Sequence, residues 1–235
     1  MDIEQKLALL DQIDGLYDAY AATLDLACHK GCDSCCTRNV TLTTLEVYRL
    51  LARLSPERCD PLLARVAAHA ARNRFRPAVT TNQLADLCLA GEDPPEEDVD
   101  PGWGPCPLLT ASVCPVYPLR PFGCRSFTSG RNCAQSGCAE VTPLTVTVNT
   151  VFLQAIEHLD QAGCSGNFSD LLQVLAPAGA RQDYRNGSLG CRANGLIPNR
   201  PAKILMVPPA HRAQAGPWVA QLQCLLRLGE GPCKK

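Results

Sequence analysis

The sequence lacks a long apolar segment and an excess of charge of either sign. No run approaches the roughly 18 uninterrupted apolar residues of a membrane span, and the opening MDIEQKLALLDQ interrupts its apolar residues with acids. Formal net charge is −1, so no global field attracts nucleic acid or an anionic membrane surface. We therefore predict a cytoplasmic protein without a membrane span and without a nucleic-acid partner.

The cysteine content is below that of a disulfide scaffold but high enough to indicate metal binding or redox chemistry. The chain has 15 cysteines in 235 residues, an odd number and a smaller share than the about 8–10% that marks small disulfide-rich domains. With no secretory signal peptide, a reducing compartment is expected, where thiols serve metal binding or redox chemistry. A chain with 46% hydrophobic residues can also bury a core without cross-links.

The cysteines concentrate in two patches. The first patch, residues 28–36, reads CHKGCDSCC and contains four of them. The second patch, residues 106–138, contains five more: Cys106, Cys114, Cys124, Cys133 and Cys138. We interpret five scattered cysteines as small buried residues or incidental thiols: Cys59, Cys88, Cys164, Cys191 and Cys224. Cys233 lies in the tail GEGPCKK and is expected to be solvent-accessible.

Helical signals dominate the chain outside the patches. Apolar residues at alternating steps of three and four predict a first helix from about Asp2 to about Ala27. Thr43 and Glu46 form a capping box that predicts a helix over VYRLLARL. Further helices are predicted in LLARVAAHAARNR, TTNQLADLCLA, VNTVFLQAIEHLDQAG, SDLLQVLA and PWVAQLQCLLRLG.

The second patch and the segment before it are predicted to be irregular. GEDPPEEDVDPGWG, residues 91–104, is acidic and rich in proline and glycine, which indicates an exposed loop. Six prolines between positions 101 and 121 exclude a long helix or a central strand. One short hairpin at residues 107–116 and one strand, KILMV at 203–207, are the only extended elements that we predict.

These signals together predict a mainly α fold with irregular cysteine-rich metal-binding loops. No internal repeat and no steady alternation of strands with helices is present in the sequence. Residues 1–145 are predicted to form a cysteine-cluster metal-binding domain, and residues 146–235 a helical extension packed on it. The helices between the two patches would fold back and bring one patch beside the other.

The spacing within the first patch is typical of thiolate metal ligands. Cys32 and Cys35 are separated by two residues, so one tight turn can direct both sulfurs to one point. Cys28 shares a face with Cys32 only if the first helix continues past Gly31. Neighbouring residues point in different directions on a helix or strand, so we expect one of Cys35 and Cys36 to bind metal and the other to face a second centre or the core. The first patch is therefore interpreted as half of a site.

The second patch supplies the other half in this interpretation. Cys106, Cys114 and Cys124 are spaced by eight and ten residues, too far apart for one chelating turn but suited to a loop around a centre. Cys133 and Cys138 follow closely, and one of them would complete the site. The predicted metal ligands are Cys28, Cys32, Cys35, Cys36, Cys106, Cys114, Cys124 and Cys138.

Basic and aromatic side chains accompany the thiols. Five cations either offset the charge of a thiolate-bound centre or are ordinary surface residues: Lys30, Arg38, Arg120, Arg125 and Arg131. Arg120, Arg125 and Tyr117 are predicted to contact the cofactor. Tyr117 and Phe127 are expected to shield it from water. His29 is either a further ligand or a solvated loop residue.

One enzymatic interpretation depends on the pattern C-x3-C-x2-C. Cys28, Cys32 and Cys35 match the motif by which radical S-adenosylmethionine enzymes hold a cluster with one open iron. That motif usually follows the first strand of an α/β barrel and has an aromatic residue before its last cysteine. Here a predicted helix precedes it, and Ser34 stands at the aromatic position. The context therefore disfavours this class of enzyme.

The two patches together resemble the YkgJ-type cysteine-cluster family, also called the CxxCxxCC putative zinc- or iron-chelating domain. That family's second motif is similar to CPLLTASVCPVYPLRPFGCRSF, residues 106–127. A difference lies in the first gap, where three residues separate Cys28 from Cys32 instead of two. The resemblance covers about residues 25–140 and implies a metal centre. The matching positions are Cys106, Pro107, Leu109, Cys114, Tyr117, Arg120, Pro121, Cys124, Arg125 and Phe127.

The same resemblance leaves the activity open. Members of the family are often labelled iron–sulfur oxidoreductases, and flagellin lysine N-methylases look like distant relatives. GSLG, residues 187–190, lacks the strand and helix context of a nucleotide-binding loop, so methyl transfer is not predicted. An iron–sulfur oxidoreductase remains an open interpretation, with no catalytic residue identified.

Three hypotheses follow for the thiols. The first is an iron–sulfur cluster, of the [4Fe–4S] type, used for electron transfer or redox sensing with an unidentified redox partner. The second is a zinc-stabilised interaction module without catalysis, although only one of the two CxxC pairs typical of such sites is present. The third is storage of a soft metal such as copper(I). Cys-Pro steps at Cys106 and Cys114 favour the first, because a Cys-Pro step also ends the bacterial ferredoxin motif.

Overall fold

The computed structural model describes residues 1–97, 104–192 and 195–226. Cys233 lies outside these ranges. Helices account for most of the regular structure in the described part: α1 (Ile3–Ala21), α2 (Thr44–Arg53), α3 (Pro56–Ala68), α4 (Thr81–Ala90), α5 (Phe122–Arg125), α6 (Cys133–Ser136), α7 (Pro143–Leu159), α8 (Phe168–Leu175), α9 (Ala178–Arg185) and α10 (Arg212–Leu226). The mainly α fold class is confirmed. None of the helices in these ranges has the length and apolar content needed to traverse a bilayer.

A small antiparallel sheet joins segments that are far apart in the chain. Its strands are β1 (Thr41–Thr43), β2 (Cys164–Asn167) and β3 (Ile197–Pro198), with β2 in the centre. Thr41 pairs with Asn167, and Ser165 pairs with both Thr43 and Ile197. The sheet is thus built from strands on both sides of the predicted boundary at 145, a division that stays a prediction.

Side-chain capping fixes the starts of helices α2 and α4. The Thr43 hydroxyl accepts a hydrogen bond from the Glu46 backbone, and the Glu46 carboxylate accepts one from the Thr43 N–H at 2.8 Å. Helix α4 starts from a similar capping box at Thr80 and ends at Gly91, whose φ of 71° lies in the left-handed region. The helix α9 was not predicted from the sequence.

The first helix is shorter than predicted. It ends at Ala21, not at Ala27, and the following segment turns towards the second patch, where the Ala27 N–H donates to the Ser129 carbonyl at 2.9 Å. Gly31 has a φ of +98°, which no helix accommodates. Cys28 therefore shares no helix face with Cys32.

Both extended elements predicted from the sequence, the strand at 203–207 and the hairpin at 107–116, differ from the structure. Residues 203–207, all within the described ranges, form no strand. The Gln154 side chain forms hydrogen bonds with two of their backbone groups instead. Its Nε2 donates to the Ile204 carbonyl and its Oε1 accepts from the Met206 N–H, both at 2.8 Å. The hairpin predicted at 107–116 is reduced to one bridge between Thr110 and Val113 around a two-residue reversal.

An aromatic cluster forms the centre of the hydrophobic core. Tyr17 on α1 packs edge-on against Phe122 on α5 and Phe152 on α7, with ring centroids 4.7 Å and 5.3 Å apart. Phe122 and Phe152 stack at 5.7 Å, and both are fully buried. Such pairs stabilise the fold beyond the area that they bury. The cluster attaches the short helix α5 to two long helices.

A buried carboxylate, that of Asp160, connects the start of α2 with α9. Asp160 is fully buried, and its Oδ2 accepts from the Thr44 hydroxyl at 2.5 Å and from the Leu45 N–H at 3.0 Å. The Tyr184 hydroxyl donates to Oδ1 at 2.7 Å. Burial raises the pKa of Asp160 to about 6 in spite of these donors. The carboxyl thus acts as a structural hydrogen-bond acceptor.

Two scattered cysteines form a disulfide, contrary to the prediction that they are incidental thiols. Cys164 at the start of β2 is bonded to Cys191, with 5.7 Å between their Cα atoms, inside the usual range for this bond. The spacing of 27 residues carries no signal for such a pair. Cys59 and Cys88 are free thiols, one partly buried and the other exposed.

Candidate metal centre

A backbone bridge brings the two cysteine patches together. Thr37 and Pro105 form an antiparallel bridge, the Cys106 N–H donates to the Cys36 carbonyl at 2.8 Å, and the Arg38 N–H donates to the Gly104 carbonyl at 3.0 Å. These bonds hold the end of the first patch against the start of the second. The helices α2, α3 and α4 form the connection between them.

Beside this bridge lies a cavity of about 160 Å³ whose wall carries thiols from both patches. We call it the thiol cavity. Of the described residues, the candidate ligands that line it are Cys28, Cys32, Cys35, Cys36, Cys106, Cys114 and Cys124. Cys138, the eighth candidate, is exposed and is not among the described residues that line the thiol cavity. Cys133 is not among them either.

The sulfurs surround the cavity and do not converge on one point. No group of three or more His, Cys, Asp or Glu side chains in the described ranges is placed to hold a single metal ion. All seven lining cysteines are free, and six of them are partly buried while Cys28 is exposed. The donor set is sulfur, which suits soft and borderline metals such as iron, zinc and copper(I).

Cys35 and Cys36 interact directly, and which of the two would bind metal stays a prediction. The chain turns here, with the Cys36 N–H donating to the Asp33 carbonyl at 2.8 Å and the Thr37 N–H donating to the Cys35 carbonyl at 2.9 Å. A hydrogen bond between the two thiols lowers the pKa of Cys35 and raises that of Cys36. Side-chain directions of a helix or strand therefore do not apply to this pair, and both thiols face the thiol cavity.

Three thiols of the second patch, all lining the thiol cavity, lie in a region that disfavours their ionisation in the absence of a cation. Burial raises the pKa of Cys106, Cys114 and Cys124, and for Cys124 the neighbouring Cys106 and Cys114 add to the rise. The Arg120 guanidinium acts in the opposite sense and lowers the pKa of Cys114 and of Cys35. A bound cation would act in the same direction as Arg120.

The predicted cofactor contacts take two different positions. Arg120 stacks over the Tyr117 ring with its Cζ 4.0 Å from the ring centroid, and both line the thiol cavity. Arg125 also lines it, but its guanidinium is paired with Asp18 at 2.7 Å and with Asp14 at 3.3 Å. The charge of Arg125 is thus matched by helix α1, while the charge of Arg120 acts on Cys35 and Cys114.

Other side chains near the patches have lesser roles. Phe127 lines the thiol cavity but is 53% exposed, so it shields the cavity only in part. His29 lines the cavity from an exposed position, with its Nδ1 3.2 Å from the Ala27 carbonyl. Arg131 forms an ion pair with Glu140 on the surface.

Helix α5, which carries Cys124, is anchored by residues that the sequence did not reveal as part of the site. The Phe122 N–H donates to Oε1 of Glu46 at 2.7 Å, and Glu46 is buried. Burial raises the pKa of Glu46. Arg125 is held by Asp14 and Asp18 from the other side. The capping box identified Glu46 as a helix start, but nothing in its spacing indicated the contact with α5.

Gly123 gives a direct test of how tightly α5 packs on β1. A Cβ at this position would lie 2.6 Å from the Thr41 carbonyl oxygen, a backbone atom that cannot move independently. We expect Gly123→Ala to lower the free energy of unfolding by about 1–3 kcal/mol, as overpacking does. Urea denaturation provides the measurement.

The matched control for Gly123→Ala is Gly179→Ala. Gly179 lies in α9, and a Cβ there meets nothing within 4 Å. This control is expected to keep stability or to raise it by about 0.4–1 kcal/mol. Equal unfolding midpoints for the two variants would show that α5 does not pack against β1 as described.

Comparison of the chain with protein-family models, with curated proteins and with solved structures gives no match. The similarity to the YkgJ-type motifs therefore stays a prediction from the residues at positions 28–36 and 106–127.

Proposed function

We propose that this protein holds an iron–sulfur cluster in the thiol cavity, ligated by cysteines of both patches, and that the cluster serves electron transfer or redox sensing. The observation that carries the proposal is the lining of one cavity by seven free cysteines from two distant segments. The resemblance of both segments to YkgJ-type motifs supports the same conclusion.

The distribution of the sulfurs around the cavity favours a cluster over a single ion. A structural zinc ion takes four ligands at about 2.3 Å from one point, whereas seven thiols here are distributed around a cavity of about 160 Å³. A [4Fe–4S] cluster also takes four cysteine thiolates, so the cavity carries more thiols than it needs. When bound, the cluster would supply one-electron chemistry, and the cysteines would hold it.

Surrounding residues are suited to a cluster of negative charge. Arg120 lines the thiol cavity, opposes the rise that burial causes in the pKa of Cys114, and adds to the lowering that the hydrogen bond with Cys36 causes in the pKa of Cys35. The partial exposure of Phe127 leaves a route for an electron partner to approach. A cytoplasmic setting is part of the proposal, since eleven cysteines of the described residues are free. The disulfide between Cys164 and Cys191 and the disulfide-bonded state of Cys224 oppose this setting.

Anaerobic purification with metal analysis tests the proposal. We expect a coloured protein that contains iron and acid-labile sulfide in equal amounts and loses its visible absorption on exposure to air or chelator. A colourless protein with one zinc ion per chain would contradict the proposal and favour the zinc-stabilised module. Many copper(I) ions per chain would contradict it in favour of metal storage.

A further inference from the structure

A second cavity, of about 290 Å³, has a strongly basic wall. We call it the arginine pocket. The polar residues that line it are Arg38, His69, Arg72, Arg74 and Ser169. No carboxylate side chain belongs to the described lining. We propose that this pocket binds a phosphate group, either inorganic phosphate or the phosphoryl end of a small metabolite.

The positive charge of the arginine pocket is neutralised only in part by described residues of the protein. Within the described ranges Arg38 and Arg72 form no ion pair, while Arg74 shares Asp170 with Arg76, at 2.6 Å and 2.8 Å. Of the three arginines that line the pocket, Arg74 has a carboxylate partner, which it shares with Arg76 outside the lining, and Arg38 and Arg72 have none in the described ranges. An oxyanion in the pocket would supply the missing negative charge, and a guanidinium recognises it with paired N–H donors.

Arg38 provides an unsatisfied donor at the edge of the pocket. Its Nε is buried and makes no hydrogen bond with any described group. Its guanidinium packs over the backbone of Gly104, where a Cβ would lie 1.6 Å from Nη2. A buried donor of a charged group that stays unpaired is costly, and an oxyanion in the arginine pocket would stabilise the Arg38 guanidinium in this position.

Arg74 is fixed in place before any ligand arrives. It is 9% exposed, and its Nη1 donates to the Ala70 carbonyl at 2.8 Å and to the Arg72 carbonyl at 3.0 Å. Its Nε and Nη2 both donate to Asp170. Fixing a side chain in advance lowers the entropy cost of binding. Buried Ser169 adds the first turn of α8, whose N-terminal end favours negative charge.

The arginine pocket and the thiol cavity share one structural support. Cys36 and Cys106 line the thiol cavity, whereas Arg38, Pro105 and Pro107 line the arginine pocket. The same backbone bridge carries residues of both. The phosphate site itself depends only on the arginines, so it stands whether or not the thiols bind a cluster.

Isothermal titration of the full-length protein with inorganic phosphate tests the site, at an ionic strength held constant with potassium chloride. We expect saturable binding to the wild type and at least tenfold weaker binding to Arg72→Gln, because a hydrogen bond to a charged group contributes about 1.5–3 kcal/mol. Arg38→Gln should weaken binding as well. Arg72 is exposed, so its variant is expected to fold and carries the test if Arg38→Gln does not.

The matched control is Arg185→Gln, which removes an equal charge from an exposed position on α9. It should bind phosphate like the wild type. Titration with acetate is a second control. A monocarboxylate has fewer oxygen atoms to accept hydrogen bonds from the arginines, so we expect it to bind more weakly than phosphate. The proposal is overturned by an absence of saturable phosphate binding, by equal affinity for acetate, or by equal loss in Arg185→Gln and Arg72→Gln.

Discussion

Cys124→Ser is expected to strip the metal from the protein and to unfold the cysteine-rich region around the thiol cavity. Cys124 lies on α5, between the core aromatic Phe122 and the paired Arg125, and it lines the thiol cavity together with cysteines of the first patch. In the proposed site, loss of this ligand would weaken the cross-link between the two patches. For scale, a structural zinc ion bound by cysteine contributes about 10–16 kcal/mol to folding.

Metal content and thermal unfolding of anaerobically purified Cys124→Ser provide the measurement, with Cys88→Ser as the control. Cys88 is an exposed free thiol on α4 that lines neither cavity of the described residues. We expect Cys88→Ser to keep its metal and its unfolding temperature. Full metal content and normal stability in Cys124→Ser would show that the site does not span both patches.

The variant Cys138→Ser tests whether Cys138 is a metal ligand, as the sequence predicts, or lies outside the site, as its position in the structure indicates. The sequence places Cys138 among the ligands, whereas the structure places it exposed and away from the thiol cavity. We expect this variant to retain its metal. Loss of metal in Cys138→Ser would mean that the loop after α6 closes on the cavity when the centre forms.

Arg49→Leu is expected to lower the free energy of unfolding by about 3–5 kcal/mol, because it leaves a buried carboxylate without its nearest cation. The Arg49 side chain is 2% exposed and contacts Asp14 at 2.8 Å and Asp11 at 3.2 Å. Burial already raises the pKa of Asp14 despite this contact. In the variant, Arg125 at 3.3 Å is the remaining cation beside Asp14.

The control for Arg49→Leu lies one helical turn away. Arg53 is on the same helix and contacts the same Asp11 at 2.5 Å, but its side chain is 39% exposed. Surface ion pairs contribute about 0–1 kcal/mol, so Arg53→Leu should have a small effect in urea denaturation. Similar losses for both variants would contradict a buried role for Arg49.

A second substitution shows whether the lost charge is the cause. Asp14→Asn in the Arg49→Leu background removes the uncompensated carboxylate and is expected to restore part of the stability. Asp14 also holds Arg125 next to Cys124. The stability of α1 and α2 is therefore connected to the position of a proposed ligand, and metal content of these variants gives a second readout.

The site could be predicted from the sequence only as far as the spacing of the cysteines allowed. Two dense clusters of thiols indicated that the patches meet, and seven of the eight predicted ligands line one cavity. The arginine pocket gave no such signal, because Arg38, Arg72 and Ser169 are distant in sequence and follow no spacing rule. The disulfide between Cys164 and Cys191 was missed for the same reason.

The sequence by itself determined most of the longer helices and the content of the two patches, because capping boxes, apolar periodicity and proline positions act between near neighbours. The tertiary structure alone decided where α1 ends, why KILMV is not a strand, and which way Cys35 and Cys36 face. Those outcomes depend on hydrogen bonds between residues far apart in the chain, such as Ala27 to Ser129 and Gln154 to Ile204. Such contacts override local preference because they satisfy backbone groups that burial would otherwise leave unpaired.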